Sequence, residues 1–447
     1  MSSCDLNLQS SNIFITMNRR LHLVLLALGC ATMMLFARTP QNDFTGIILL
    51  TSISFCLALM AWNSRKEFRT RHILVAAALL RLSVSLSPPL LSDDYFRFQW
   101  DGKLVSEGVS PFAYTPTQLA KSQSLTQPQE EWLATMNSSD YFSVYPPTCQ
   151  YLWALPHFFS SENEIWLLFI RALFLLAELG TVFILIKLLT QFNRPGFYSI
   201  LYAFNPLVIL DTTGNLHPEG WMVFFAALSV WLWVTLRPTL SAVAFGIAVA
   251  TKLLPLLAIP FILRRLGWRT TIRFSLISGA VVILLFLPIL SHAELQHIGS
   301  SLNLYFRHFE FNASIYSIAR ELGMHISGYN RIAVIGPLLG AIATTVILFL
   351  AWRSDRKGFF ISLQWGWLIY LLLATTVHPW YIVPLVALSA VTGQWWAVIW
   401  SFTIFFSYAF YSDSAVPVVW IAMEYLLLAV FLFIRGKLGR KSEEVMA

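Results

Sequence analysis

Ser92-Asp93-Asp94-Tyr95-Phe96-Arg97-Phe98-Gln99-Trp100-Asp101-Gly102, continuing to Glu107-Gly108-Val109-Ser110-Pro111-Phe112-Ala113-Tyr114, follows directly on an apolar run. Paired carboxylates, an arginine and several aromatics thus stand where a membrane helix would leave the bilayer. Carboxylates held at such a boundary are costly to place and usually have a task. The rest of the chain fits a membrane setting: 57% of its residues are hydrophobic, 12% are charged and the mean hydropathy is +0.65, whereas soluble domains carry roughly 25% charged residues. The composition reads as an all-α polytopic membrane protein.

A net charge of +7 raises nucleic acid as a partner. The basic residues, however, fall in short clusters between apolar runs, as cytoplasmic loops require, so the charge reports orientation and no nucleic acid is expected. The four cysteines, Cys4, Cys30, Cys56 and Cys149, have no metal-ligand spacing. Cys30 and Cys56 lie inside apolar runs, where a thiol fills space, and Cys149 is expected toward the outer side. Met17-Asn18-Arg19-Arg20 before 21–37 has the form of a natural amino terminus with a basic leader. It reads as a signal anchor rather than a cleaved peptide, which makes residues 1–20 a cytoplasmic tail.

Apolar runs fall near 21–37, 44–62, 73–91, 165–189, 197–211, 218–236, 239–263, 270–290, 332–352, 359–377, 380–392, 395–411 and 416–434. Clusters such as Arg65/Lys66/Arg69/Arg71, Arg264/Arg265/Arg269/Arg273 and Arg353/Arg356/Lys357 set their direction, with both termini inside. The run 239–263 has basic residues at both ends and holds Thr251-Lys252 before Pro255, so a single crossing would break the alternation. It reads as a broken, re-entrant pair of short helices with Lys252 near the outer tip, beside about twelve full crossings. Interrupted helices at depth are tolerated where they line a cavity, and a half-helix end with an ammonium suits an anion.

This count divides the chain into an additional hairpin at 21–62, a core at 73–392 with a long outer loop at 92–164, further helices at 393–434 and a cytoplasmic tail at 435–447. It also gathers the polar segments on one face. Asp93, Asp94, Arg97 and Asp101 open the long loop, which ends at Tyr145-Pro146-Pro147. Asp211, His217 and Glu219 form the next outer turn, Arg307, His308, Glu310 and Asn312 the third, and His378-Pro379-Trp380-Tyr381 opens the fourth.

A carboxylate can deprotonate a hydroxyl nucleophile while cations neutralise a departing phosphate. Asp93 or Asp94 as base, with Lys252, Arg97 or Arg307 on a phosphate, describes transfer from a phosphate-activated donor. His217, Glu219, His378 and Tyr381 are candidates for substrate contact. Tyr95, Phe96, Phe98, Trp100, Phe112 and Tyr114 are expected on short amphipathic helices in the interface, which suits a lipid-borne substrate. Asp101 and Glu107 read as caps of those helices. Glu178 and Glu424 lie within apolar runs and are expected to pair inside the bundle. No cofactor is called for, since cations alone can stabilise the leaving group. A metal trio of His217, Glu219 and His378 is conceivable, but no spacing supports it.

The Asp-Asp-Tyr-Phe-Arg-Phe-Gln-Trp-Asp-Gly stretch with Glu-Gly-Val-Ser-Pro-Phe-Ala-Tyr resembles the first outer loop of GT-C superfamily glycosyltransferases. It is most similar to bacterial mannosyltransferases that use a polyprenyl-phosphate sugar, and more distantly to the eukaryotic mannosyltransferase of glycosylphosphatidylinositol synthesis. Phe204-Asn205-Pro206-Leu207 through Gly214-Asn215-Leu216-His217-Pro218-Glu219, Ala250-Thr251-Lys252-Leu253-Leu254-Pro255 and His378-Pro379-Trp380-Tyr381 agree with it. The resemblance spans roughly 73–392. It implies a carboxylate of the first outer loop as general base, polyprenyl-phosphate as leaving group, a glycan or glycolipid acceptor and a site on the outer face of a bacterial inner membrane, with mannose as the commonest donor sugar. The family usually carries Asp-Glu or Asp-any-Asp here, which aligns Asp93 with the catalytic position and Asp94 in support; with Asp-Asp, the choice between them stays open. The family also tends to begin its long loop after the first helix, so 21–62 would be an addition. A polysaccharide polymerase or ligase would typically rely on arginine and histidine rather than an opening carboxylate pair. A lipid-linked-sugar transporter would show helix breaks in two matching halves, whereas only 251–255 shows one.

Overall fold

The computed structural model describes residues 19–444 apart from 161, 291, 355–357 and 414. An amino-terminal pair, α1 (Arg19–Phe36) and α2 (Phe44–Asn63), leads into α3 (Thr70–Val84). Four short helices then occupy the 92–164 segment: α4 (Asp94–Ser106), α5 (Pro116–Ser122), α6 (Gln127–Thr135) and α7 (Pro147–Ala154). The long α8 (Asn163–Gln191) precedes two fragments, α9 (Ile200–Ala203) and α10 (Pro206–Val208), which run into a wide π turn at Ile209–Gly214. A helical hairpin of α11 (Glu219–Val234) and α12 (Pro238–Thr251) comes next, followed by α13 (Ile259–Leu266), α14 (Trp268–Phe286) and α15 (His292–His308). The chain ends with α16 (Ile315–Ser327), α17 (Ile332–Arg353), α18 (Phe359–Leu373), α19 (Val383–Thr392), α20 (Trp396–Thr403) and α21 (Pro417–Glu444). Among the described residues there is no strand, only a bridge between Phe311 and Thr376.

Among the described residues, five helices are long and apolar enough to cross a bilayer: Phe44–Asn63, Asn163–Gln191, Trp268–Ile289, Ile332–Arg353 and Pro417–Ile434, with six shorter apolar helices beside them. Their outer faces are aliphatic, with Leu276 at 69% and Leu426 at 63% exposed. Patches of this kind on many helices demand a lipid solvent, and the chain is an all-helical membrane protein. The amino-terminal residues 1–18, including the proposed start at Met17, lie outside the described residues.

Two expected runs break at or end ahead of proline. Run 197–211 breaks at Asn205-Pro206, where Asn205 caps α10 by accepting from the Val208 amide at 3.3 Å. Run 73–91 leaves the helix at Val84, ahead of Pro88-Pro89. The break foreseen near Pro255 is present: α12 stops at Thr251, Lys252 is extended and a tight 3₁₀ turn at Leu254–Ala258 restarts the chain. A proline ring clashes with the carbonyl four residues earlier, here that of Thr251. The carbonyl so released accepts from the Cys149 thiol at 3.2 Å, so Cys149 is a buried packing residue.

The largest core joins α1–α3, α8, the 200–210 stretch and α18–α20. The amino-terminal hairpin is locked to the carboxy-terminal helices through Phe36 on Phe405, Phe44 on Trp420 and Phe55 on Phe402. The 92–164 segment builds two further cores, one of them shared with α8 and α11. Phe98 stacks on Trp153 at 4.2 Å within one, and Trp100, Leu104, Leu119, Trp132 and Met136 form another. This corrects the expectation of interfacial aromatics, because Phe98, Trp100 and Phe112 are buried against protein and Tyr114 remains exposed. Helix α4 approaches α7 so closely that a Cβ at Gly102 would lie 2.4 Å from the Trp153 carbonyl. Gly108, at φ +75°, turns the chain out of α4 in a left-handed conformation that glycine adopts freely.

Candidate functional site

Helix α4 begins at the paired carboxylates. Asp93 occupies its N-cap position, yet the carboxylate makes no capping bond. The Gln41 side-chain amide donates to it at 3.4 Å from the turn of the amino-terminal hairpin. A helix amino terminus favours a negative charge, and the position leaves most of the Asp93 lone pairs unspent. Asp94 accepts from the Tyr145 hydroxyl at 3.2 Å. Burial pushes the Asp94 pKa up, while the Tyr145 hydrogen bond and the Lys252 charge pull it back. Burial also raises Tyr145 well above the usual phenol range, so it stays protonated and donates.

Facing this pair is the break between α12 and α13. Lys252 donates to Glu219, the first residue of α11, in a close ion pair, and its ammonium lies 4.4 Å from the Tyr381 ring centroid. Glu219 is fully buried, whereas the Lys252 side chain is 21% exposed. An ammonium has three donors, so one ion pair and an aromatic face leave capacity for an incoming anion. Lys252 lowers the Asp94 pKa, which places both in one electrostatic field.

Behind the ammonium, four rings from three segments form a column. His217 stacks on Trp380 at 3.5 Å, Trp380 on His378 at 4.5 Å and His378 on Phe311 at 4.7 Å. The register is fixed by backbone bonds from the Phe311 amide to the Thr375 carbonyl and from the Val377 amide to the Phe311 carbonyl. Leu216, at φ +66°, holds His217 on a backbone that branched side chains rarely adopt, and the adjoining π turn is of a kind frequent at functional sites. Burial followed by the Lys252 charge drives the His378 pKa down to about 3 and lowers that of His217. Both imidazoles are therefore neutral at physiological pH.

The neighbourhood is short of hydrogen bonds. Both carboxylate oxygens of Asp211, His217 Nε2, Glu219 Oε2 and His378 Nδ1 are buried without a partner among the described residues. Buried polar atoms in folded proteins are nearly always paired, so this concentration marks a place that something polar completes. No group of three metal-ligating side chains occurs among the described residues.

The fold thus brings Asp93, Asp94, Lys252, Glu219, His217, His378 and Tyr381 to one region. It does not bring Arg97 there as a free cation: Arg97 is buried, donating to Asp101 at 2.7 Å and to the carbonyls of Ser138 and Tyr141 at 2.9 and 2.8 Å. Asp101 is no helix cap; it accepts from Arg97, Ser143 and Gln150 in a buried network that ties α4 to the rest of its segment. The side chain of Arg307 lies outside the described residues. Glu310 is engaged by Tyr316, Arg320 and Asn330. Glu178 does pair inside the bundle, with Arg81 at 2.8 Å, whereas Glu424 accepts from Trp400 and Asn312 and has no cation among the described residues.

Sequence reasoning passed over three residues here. Gln41 is 52 positions from Asp93 and carried no signal. Tyr145 was visible only as the end of the loop. Arg171 clasps the Ser85, Ser87 and Gly214 carbonyls, holding the approach to Asp93 beside the His217 turn.

A family model described as "Alpha-(1->6)-mannopyranosyltransferase, N-terminal domain", of the MptA_B family, matches residues 18–267, more than half of the chain. The chain belongs to the MptA_B family. It is also 21% identical, over 78% of its length and 70% of the relative's, to alpha-(1->6)-mannopyranosyltransferase A of Mycobacterium tuberculosis (strain ATCC 25618 / H37Rv). As an MptA_B-family protein it is a glycosyltransferase of the membrane, in keeping with the GT-C resemblance of its Asp93-Asp94 loop. The matched span contains the carboxylate pair, the His217–Glu219 turn and the Lys252 break, and it ends before His378.

Proposed function

We propose that this protein transfers a mannosyl residue from a polyprenyl-phosphate donor to a hydroxyl of a lipid-linked or polymeric glycan, at the outer face of the cell membrane. In this reading about twelve crossings and a re-entrant α12–α13 pair surround the site, and the basic clusters stay inside. The observation that carries it is the juxtaposition of an N-cap carboxylate with uncommitted lone pairs and a partly exposed lysine at a helix break.

Asp93 takes the proton from the acceptor hydroxyl, since Asp94 is already engaged by Tyr145. Asp94 holds a second negative charge that keeps Lys252 oriented. Lys252 receives the phosphate, and charge accumulating on the departing oxygen strengthens that contact in the transition state. The His217–Trp380–His378 column offers neutral imidazole nitrogens and an aromatic face to the sugar. Direct displacement at the anomeric carbon inverts its configuration, so a β-linked donor gives an α-linked product. The α-(1→6) linkage in the name of the mycobacterial relative fits that outcome.

The test is transfer of radiolabel from polyprenyl-phosphate mannose to glycolipid or polymeric acceptors in membranes bearing wild type, Asp93→Asn or Asp94→Asn, with the product linkage assigned by NMR. Loss with Asp93→Asn at normal expression and an α-linked product are expected. A β-linked product from a β-linked donor, or transfer untouched by either change, would reject the scheme.

A further inference from the structure

At the far end of α3 from Asp93 lies a cavity. It is a cleft of about 650 Å³ between α1, α2 and α3, walled by Gly29, Leu57, Ala58 and Ala76 and floored by Phe204 and Pro206. Its two lips, Leu23 on α1 and Val75 on α3, are apolar and exposed at 62% and 58%. The cleft therefore opens sideways between helices, as a groove that exchanges with lipid would. Its polar end is formed by Arg69 and Arg71 with His22, Glu67 and His72.

We propose that this cleft binds one anionic phospholipid, with its acyl chains on the apolar walls and its phosphate at Arg69 and Arg71. The volume lies in the range of a specific ligand site, and the lining changes from apolar to basic along one axis, as a lipid does. The rim sets two guanidinium groups against the carboxylate of Glu67, which already has His22 at 3.5 Å. The surplus is positive and favours an anionic over a zwitterionic headgroup. A guanidinium meets phosphate with paired donors, and basic pockets between membrane helices are suited to anionic headgroups. Arg69 sits at the N-cap of α3 without a side-chain capping bond, so it is not spent on holding the helix.

The site would bear on the active region through its floor. Phe68 packs on Phe204 at 5.6 Å, and Phe204-Asn205-Pro206 leads directly into the π turn that ends at the Asp211 and His217 segment. The hairpin that forms two of the walls carries Gln41 at its turn, in contact with Asp93.

The test is native mass spectrometry of the full chain, delipidated in detergent and offered equal amounts of phosphatidylglycerol and phosphatidylcholine. Wild type is expected to retain the anionic lipid, with each arginine contributing about five-fold. Arg69→Gln/Arg71→Gln should bring retention down to the phosphatidylcholine level, and Ala58→Trp, which fills the cleft, should lose both lipids. Equal retention of the two lipids by wild type, or an unchanged preference in the double variant, overturns the proposal. So does displacement of phosphatidylglycerol by equimolar polyprenyl phosphate, which would make the carrier the occupant. The readout is bound mass, so it stands whether or not mannosyl transfer is the reaction.

Discussion

Asp93 and Asp101 lie two turns apart on the same short helix and live under opposite conditions. Asp101 is fully buried and accepts from Arg97, Ser143 and Gln150. Asp93 is partly exposed, at a helix amino terminus it does not cap, with one long contact from Gln41. A saturated carboxylate has no lone pair left for a substrate, and its charge serves to fix neighbouring backbone. An under-bonded one at a solvent boundary can accept a proton without dismantling the fold. The same contrast recurs among the cations: Arg97 is buried on the Asp101 carboxylate and two carbonyls, while Lys252 is partly exposed above one ion pair. Saturation, rather than residue type, separates scaffold from chemistry in this segment.

The comparison breaks most sharply if the two aspartates are exchanged for asparagine. Asp93→Asn removes the base and should cut kcat by about 10³-fold, within the 10²–10⁴ range of general-base catalysis, with the thermal unfolding temperature unchanged. Lys252→Met should cost roughly 10²-fold in kcat/KM, as lost preorganised charge stabilisation does. It also leaves Glu219 buried without its partner, so yield should fall. Lys252→Met/Glu219→Gln should restore yield but not activity, and recovery of activity would remove Lys252 from the reaction.

Asp101→Asn should do the reverse of Asp93→Asn. Hydrogen bonds to charged groups contribute about 1.5–3 kcal/mol each, so removing the charge that serves Arg97 should lower the unfolding temperature by several degrees. Transfer per folded molecule should stay within about two-fold of wild type, because a network that only holds α4 in place affects the amount of enzyme before its rate. A fall in rate at unchanged stability would place Asp101 in the chemistry after all.

Part of this was legible beforehand. The carboxylate pair stood out because charge is expensive beside an apolar run, and the α12–α13 break because Pro255 cannot continue a helix. The commitment of Arg97 was also written in the sequence: it precedes Asp101 by four residues, which on a helix makes the two neighbours. With the surrounding aromatics taken as interfacial, Arg97 looks free for a substrate; with those rings packed in a core, it is not. Phe98 and Trp100 could not declare their burial, since their partners Trp153 and Trp132 come from separate helices of the segment. The ring column was less visible still, because periodicity reports which face of one helix is apolar and never which distant loops share a site.

Tyr145 offers the finest distinction between the two regions, because it belongs to the loop scaffold and touches the reactive pair. Its hydroxyl donates to Asp94 and so stabilises the carboxylate over the carboxylic acid. Tyr145→Phe removes that donor while keeping the ring against Phe98 and Trp153, which lie 5.1 and 5.0 Å away between centroids. The Asp94 pKa should then rise further, since burial already raises it and the largest of the three opposing influences is gone. If ionised Asp94 is needed to hold Lys252, the acidic limb of the pH–rate profile moves to higher pH, and the loss at pH 7 stays within about ten-fold. No histidine limb should appear between pH 5 and 8, because His378 titrates near 3. An acidic limb that stays in place when the hydroxyl is removed would mean that Asp94 is protonated in the working enzyme. Asp94 would then belong with Asp101, as part of the frame that holds Asp93.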